Sequence, residues 1–399
     1  MSFTVGVRKE TKPQERRVSL RPQELFDVVA KAGNDKIFLV ESGAGTGSGI
    51  DDSLYTSVGA KVVPFRTASA AEIFASSNLV QGVKEPLPAE FPFIKNGQIH
   101  YTFFHFPSGK ELLYALMKKN VTAIAYEAIE EADGSRPILA GMSDTASEFS
   151  IRMAKKYYVE ATGKPWNRCV VLVFGAKGVY GKTSMRRAMT RGAFTVGFDL
   201  NAEENEATAC MSGCGHICPS LLNKLHGQIV RPTDALMKAL LPYADVLMMG
   251  AAARNKPAPK ILTKEWFAYV KQGAIITDAS VDEGGCTVLR LDGEGRSKPT
   301  SHIEPVVTEM VDGKSVLYCG VPNMPGGIPE MATELISTTS SKYLPQILKH
   351  VNPDNTFNKS LMAETALVKG FALYQGKIVD PYIAGLFGET YIPLESLLR

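Results

Sequence analysis

The chain has 399 residues, 45% of them hydrophobic and 21% charged, with a formal net charge of +3. That length exceeds what one core usually serves, so two domains are expected in a soluble enzyme-like composition. The small net charge and the lack of any long basic run argue against nucleic-acid binding, and no apolar stretch is long enough to span a bilayer.

The chain opens directly on an apolar strand, Phe3–Val7, rather than on anything like a signal peptide, and a cytoplasmic location is expected. Further strands are read at Ile37–Val40, Ala60–Val63, Leu79–Val83, Ile99–Phe104 and Thr122–Tyr126. Helices are read between them at Pro22–Lys31, which starts on proline and stops before Gly33, and at Lys110–Lys119. Apolar strands separated by helices imply a parallel sheet covered on both faces. Arg17, Lys84 and His105 stand at strand ends or in the loops after them, where open parallel sheets place their sites. Arginine can clamp a carboxylate, a buried lysine is a compact donor, and histidine carries protons near neutral pH. Taken singly, each is equally well a surface charge or a packed imidazole.

The middle of the chain is the most informative. The strand Cys169–Phe174 enters Gly175-Ala176-Lys177-Gly178-Val179-Tyr180-Gly181, a helix follows to Thr190, and a second strand, Phe194–Asp199, ends in an acid. This is the form of a dinucleotide-binding βαβ unit, in which glycines let the backbone approach a pyrophosphate at a helix N-terminus. Asp199 lies 18 positions after Gly181, where its carboxylate can accept from both ribose hydroxyls and repel a 2′-phosphate. NAD is therefore expected rather than NADP. Strands at Gln228–Val230, Val246–Met249, Ala274–Thr277 and Val316–Val321 complete six, and Gly250 and Ala251 are counted with the cofactor contacts.

Asp278 and Asp282, in the loop Ile275–Cys286, are each either a site carboxylate or a turn former. Asn323-Met324-Pro325-Gly326-Gly327-Ile328-Pro329 is a plausible wall for a nicotinamide ring. Beyond it a helical stretch runs from Glu330 to His350, then a polar turn at Asn352–Asn355, then more helix. Cys210, Cys214, His216 and Cys218 crowd together, but their spacing matches no common zinc pattern, so reduced, unligated thiols and no metal are expected.

With these residues in view the chain resembles the alanine dehydrogenase family, which belongs with the nucleotide-binding subunit of proton-translocating transhydrogenase and with saccharopine dehydrogenase. The stretches that carry the resemblance are VGVRKETKPQERRVSL, ESGAGTGSGI, VKEPLP, ILAGMSDTASEFSIRMA, DASVDEGGC and PNMPGGIP. The resemblance implies two Rossmann-like doubly wound domains. The NAD-binding domain, 141–329, would be inserted in a substrate domain made of 1–140 and 330–399. It implies oxidative deamination of L-alanine to pyruvate and ammonium, by a homo-oligomer, often a hexamer. Arg17 and Lys84 would hold the substrate carboxylate, His105 would be the general acid/base, and Asp282 would orient water and the substrate nitrogen. Leu139, Met142, Asn323 and Met324 would line the substrate and nicotinamide pocket. Ser143, Gly175, Gly178, Val179, Tyr180, Gly181, Asp199, Asp282, Asn323 and Met324 would contact the cofactor. A saccharopine dehydrogenase-like oxidoreductase and a transhydrogenase subunit are the alternatives.

Overall fold

The computed structural model describes residues 2–33, 35–64, 70–203, 223–251 and 257–399. The cysteine cluster at Cys210, Cys214, His216 and Cys218 lies outside them. The chain divides into two compact units, Met1–Met142 with Pro329–Arg399, and Ser143–Ile328. No helix among the described residues is long and apolar enough to cross a membrane.

Unit 1 is built on β1 (Phe3–Val7), β2 (Lys36–Glu41), β3 (Lys61–Val63), β4 (Leu79–Gln81), β5 (Ile99–Thr102) and β6 (Thr122–Ala125). All five residues of β1 are buried, because helices cover both faces of the sheet and a central strand must be apolar throughout. Gly6 marks where a helix presses on that strand: a Cβ there would lie 2.2 Å from Ser77 Oγ. The helix Pro22–Ala32 starts on its proline and ends at Gly33 with φ of 82°, as its punctuation requires.

Two later strands, β14 (Phe371–Tyr374) and β15 (Lys377–Ile378), extend this sheet as an antiparallel edge. After Asn355 only more helix is expected, so this strand pair is an addition to that expectation. Short helices do occur there, at Thr365–Val368 and Pro381–Phe387, but Phe-Ala-Leu-Tyr pairs with β6. A four-residue apolar run carries no periodicity that separates strand from helix. The stretch expected as one helix from Glu330 to His350 is two, Pro329–Ser340 and Leu344–His350.

Unit 2 contains β7 (Val170–Phe174), β8 (Phe194–Phe198), β9 (Ile229–Val230), β10 (Val246–Met249), β11 (Ile275–Asp278), β12 (Val307–Val311) and β13 (Lys314–Cys319). Their order is β12-β13-β11-β10-β7-β8-β9, and in unit 1 it is β15-β14-β6-β5-β4-β1-β2-β3. With the antiparallel edges set aside, both sheets run 3-2-1-4-5-6, the dinucleotide-fold order. Each sheet reverses direction of growth beside its first strand, between β1 and β4 in unit 1 and between β7 and β10 in unit 2.

The helix Pro137–Thr162 has no counterpart among the expected elements. The chain passes from unit 1 to unit 2 within it. Its buried face includes Thr145, Ser147 and Ser150, all fully buried, so the apolar stripe that announces a helix is interrupted by hydroxyls. In unit 2 its Glu148 accepts from Arg187 Nε at 2.8 Å and Arg191 Nη2 at 2.9 Å, tying it to the helix Val179–Thr190.

Candidate active site

Unit 1 gathers its titratable side chains where its strands end. Arg17, in the loop after β1, is 2% exposed, and Glu15 takes up its Nε at 2.7 Å and its Nη2 in a bidentate pair. Arg17 Nη1 lies 3.0 Å from Met142 Sδ, so the guanidinium meets an apolar side chain on one flank. A cavity of about 230 Å³ beside it is lined by Lys9, Glu10, Glu15, Arg16, Gly43 and Thr46. Leu139 packs, partly buried, against the core of the same unit.

Lys84 follows β4. Burial, and after it the Arg17 guanidinium, push its ammonium below the ordinary lysine range. Among the described residues Lys84 enters no ion pair. The neighbouring Glu85 does: it accepts from Lys12 Nζ at 2.6 Å and lies 3.2 Å from His105 Nδ1. Burial raises the Glu85 carboxyl, but His105 and Lys12 outweigh it and hold it down at about 2. Glu85 is thus a carboxylate at any ordinary pH and can only accept. The Nδ1 it faces must then carry the proton, which leaves Nε2 as the basic nitrogen of His105.

His105 adopts φ of 50°, a left-handed conformation rare for a residue with a Cβ. Glu127, just after β6, holds it there by accepting from the amides of Phe104 at 3.1 Å and His105 at 2.8 Å. The ring of Phe103 stacks on the imidazole at 5.8 Å. The imidazole is about half exposed, so the packed-core reading of His105 does not hold. Glu15, Glu85 and Glu127 are members of the site that the sequence does not announce. The signal available for them is the one that picks out Lys84 and His105, position at the end of a parallel strand, applied to acids as well as bases.

In unit 2 the glycines of the turn after β7 divide by purpose. A Cβ on Gly175 would lie 2.8 Å from Gly250 O, and one on Gly181 only 2.3 Å from Gly175 O, so both are demanded by backbone packing. Gly175 also has φ of 77°. Gly178 is different: its φ of −70° suits any residue, and its Cβ would meet nothing closer than Gly175 O at 3.3 Å. It precedes the helix Val179–Thr190, whose first turn has no side-chain cap and therefore presents backbone N–H groups. Asp199, at the end of β8, accepts from Lys177 N and from Asn201 N, each at 2.9 Å.

Tyr180 contributes backbone to this turn, but its ring is buried, with its hydroxyl 3.0 Å from Ser150 Oγ. Gly250 is glycine because that ring lies against it; a Cβ would be 2.0 Å from the ring. Ala251 O accepts from Ser280 Oγ at 3.1 Å. Ser143 is half-buried at the start of the unit.

The alternatives for Asp278 and Asp282 separate cleanly. Asp278 is fully buried and folds its own loop by accepting from Ser280 N at 3.1 Å and Cys286 N at 2.7 Å; burial raises it to about 6. Asp282 is exposed and accepts from Asn323 N at 3.2 Å, which brings those two residues together. Asn323 itself is left-handed, φ 52°. Met324 is 2% exposed, its sulfur accepting from Ser150 Oγ at 3.3 Å, so its side chain belongs to the interior of unit 2.

The family model "Alanine dehydrogenase/PNT, N-terminal domain" matches residues 6–146, and "Alanine dehydrogenase/PNT, C-terminal domain" matches residues 145–381. The chain belongs to the alanine dehydrogenase/PNT family. Alanine dehydrogenase of Bacillus subtilis is 30% identical over 404 residues, covering 99% of this chain and 97% of that one. That of Methanococcus maripaludis is 29% identical over 403 residues, covering 99% of both. A solved L-alanine dehydrogenase superposes with a TM-score of 0.79 at 29% identity over 97% of this chain and 99% of its own. A transhydrogenase from Sinorhizobium meliloti shares the fold, with a TM-score of 0.70 at 20% identity over 95% of this chain and 99% of its own. The chain is accordingly a dehydrogenase of the α/β class, and a pyridine nucleotide is the cofactor its family uses.

Proposed function

We propose that the protein is an NAD-dependent L-alanine dehydrogenase. It would convert L-alanine, NAD and water reversibly into pyruvate, ammonium, NADH and a proton. The observation that carries this reading is the grouping of Arg17, Lys84 and the Glu85–His105 pair at the strand ends of unit 1, in a chain matching alanine dehydrogenases over its whole length.

Arg17 and Lys84 hold the substrate carboxylate, with Glu15 fixing the plane of the arginine fork. Met142 beside Arg17, with Leu139, offers apolar surface to a methyl group and nothing to a second carboxylate, whose unpaired burial would cost several kcal/mol. NAD, when bound, supplies the hydride acceptor for the substrate Cα–H. The imine so formed is attacked by water at Cα, and Nε2 of His105 takes the proton from that water. Lys84 polarises the imine and later the carbonyl. As the carbinolamine collapses, His105 returns the proton it took to the nitrogen, the C–N bond breaks and ammonia leaves. The hydroxyl proton passes back to His105 as the carbonyl of pyruvate forms. Asp282 is assigned to water and the substrate nitrogen.

The residues of unit 2 fit the cofactor. Gly178 leaves its Cβ side open, the helix that follows offers uncapped amides to a pyrophosphate, and Asp199 retains acceptor capacity for a ribose diol. Val179, Gly175, Gly181, Gly250, Ala251 and Ser143 flank these positions in our assignment, and Asn323 is assigned to the nicotinamide carboxamide. We also infer a cytoplasmic homo-oligomer, a state that light scattering of the purified protein tests.

The deciding experiment follows NADH formation across a panel of amino acids. L-alanine should be oxidised far faster than glutamate, lysine or saccharopine. The extra methylene of 2-aminobutyrate should cost about 1–3 kcal/mol in kcat/KM. Faster oxidation of saccharopine than of alanine at equal concentration overturns the assignment.

A further inference from the structure

The backbone that carries Lys84 is gripped by a buried ion cluster to which the proposed reaction assigns no step. Arg8, the residue after β1, reaches across to the end of β4. Its Nη1 donates to both oxygens of Glu90, at 2.9 and 2.8 Å. Its Nη2 donates to Glu10 at 3.1 Å, to the carbonyl of Lys84 at 2.6 Å and to the carbonyl of Glu85 at 3.2 Å. Glu10 completes the grip from the other side by accepting from the amides of Val83 at 2.6 Å and Lys84 at 3.3 Å. One ion pair therefore holds both the donors that lead into Lys84 and the acceptors that lead out of it.

Gly82 makes room for this. A Cβ on it would stand 2.6 Å from Arg8 Nε and 3.1 Å from Glu10 Oε1. Its backbone has no positive φ, so the glycine answers to the guanidinium lying against it rather than to a turn.

A cluster of this kind is a costly way to hold a fold together. Arg8 and Glu10 side chains are 3% and 1% exposed, and Glu90 is 6% exposed. Burying an ion pair usually gains no more than an apolar filling would, and its best-attested use is to specify one arrangement. What this pair specifies is the path of two residues, Lys84 and Glu85. Both belong to the proposed site.

We propose that Arg8 and Glu10 are positioning residues for Lys84, and that residue 82 is glycine so that their ion pair can close on the Lys84–Glu85 backbone. The proposal rests on the reading of Lys84 as the group that meets the substrate carboxylate and carbonyl. Displacing such a group by a fraction of an ångström to an ångström costs about ten- to a hundredfold in an enzyme.

Gly82→Ala tests it with every charge retained, beside Glu10→Gln, which removes one of the two acceptors the Val83 and Lys84 amides need, and Arg8→Lys, which keeps the charge but loses the fork. Two readouts are taken on the full-length protein. Pyruvate reduction gives KM for pyruvate and for NADH separately. Hydrogen exchange without substrate follows the amides of Val83 and Lys84. In Gly82→Ala and Glu10→Gln we expect pyruvate KM to rise at least tenfold, NADH KM to stay within twofold, and the two amides to exchange at least tenfold faster. Arg8→Lys should fall between parent and these variants.

Pyruvate KM within twofold of the parent in folded Gly82→Ala overturns the proposal, as does a raised KM with unchanged exchange at Val83 and Lys84. Should Glu10→Gln fail to fold, Gly82→Ala and Arg8→Lys decide between the same two outcomes. A parent protein that neither oxidises alanine nor reduces pyruvate defeats the functional reading instead. The exchange readout then decides by itself whether the cluster holds this loop.

Discussion

Asp199 offers the sharpest test of the cofactor assignment. Its carboxylate is half-buried at the end of β8 and already accepts two amides, Lys177 N and Asn201 N, each at 2.9 Å. A carboxylate has about four lone-pair sites, so capacity remains for the two ribose hydroxyls of NAD. A 2′-phosphate placed there would face a like charge. Two unit charges roughly 5 Å apart repel by about 3 kcal/mol at an effective dielectric near 20. Partial exposure and salt reduce this to about 1.4–3 kcal/mol, a preference for NAD of roughly 10- to 150-fold in kcat/KM. Asp199→Asn removes the charge while keeping one acceptor oxygen, and should shrink the preference at least tenfold. Asp199→Ser should shrink it as far and also raise KM for NAD, because one hydroxyl cannot serve both the Lys177 amide of the glycine turn and the Asn201 amide after β8. Steady-state kinetics with both cofactors at fixed alanine give the ratios directly. Equal use of NAD and NADP by the parent, or a ratio unchanged in Asp199→Asn, refutes the reasoning.

Three further outcomes follow from the geometry. His105→Ala should lower kcat by roughly 10²–10⁴ while NADH titration gives a Kd within twofold of the parent, and Lys84→Ala should weaken pyruvate binding as well; near-normal turnover in His105→Ala removes its acid/base role. Gly181→Ala forces a Cβ to 2.3 Å from the Gly175 carbonyl, so the turn must shift; a loss of about 1–3 kcal/mol in urea unfolding and a raised KM for NAD are expected, and neither effect would show that the turn yields freely. Glu41 is 1% exposed, burial raises its carboxyl from 4.5 to about 7, and its Oε1 has no hydrogen-bond partner among the described residues. The folded state therefore binds a proton that the unfolded chain has released between about pH 4.5 and 7, and stability falls as pH rises through that window. Glu41→Gln should thus gain about 1–3 kcal/mol relative to the parent between pH 5 and pH 8, and a difference independent of pH contradicts it.

How much of this is legible in the sequence follows from what each segment faces. Strands such as Val170–Phe174 and Val246–Met249 are buried on both sides, and an uninterrupted apolar run ending at a glycine announces that. The antiparallel strand Val307–Val311 escapes such a reading, because it lies at an edge with no residue fully buried, and Thr308 and Glu309 break its apolar run. The long helix Pro137–Thr162 escapes it for the opposite reason: its buried face is rich in hydroxyls that look like solvent-exposed positions. The glycine turn is legible as a motif, but which of its glycines are required by packing is not. For Gly175 that depends on Gly250, reached only after β8, β9 and a change of direction in the sheet, and for Gly181 on how closely the turn folds back on the Gly175 carbonyl.

The cations of the candidate site are legible and their carboxylates are not, and the asymmetry has a physical origin. A lysine or arginine at a strand end suggests an anionic ligand by itself, whereas a glutamate acquires meaning only through the cation it meets. Glu15 meets Arg17, Glu85 meets both Lys12 and His105, and Glu10 and Glu90 meet Arg8. The pairs at Arg17 and Arg8 neutralise charges that would otherwise be expensive to bury, whereas Lys12 and His105 are partly exposed. Lys84 differs from Arg8, Lys12 and Arg17: it has no such pair among the described residues, and burial and Arg17 together push its ammonium below the ordinary lysine range. On the proposed reading a substrate carboxylate would supply the counter-charge that Arg17, Lys12 and Arg8 draw from the chain, and its arrival would favour the ammonium form that can donate to a carbonyl or imine. The glutamates therefore do more than stabilise their partners. On the same reading Glu15 fixes the Arg17 fork and Glu85 occupies Lys12 and His105, so a substrate carboxylate would meet Arg17 together with Lys84, at the loop that Arg8 and Glu10 grip.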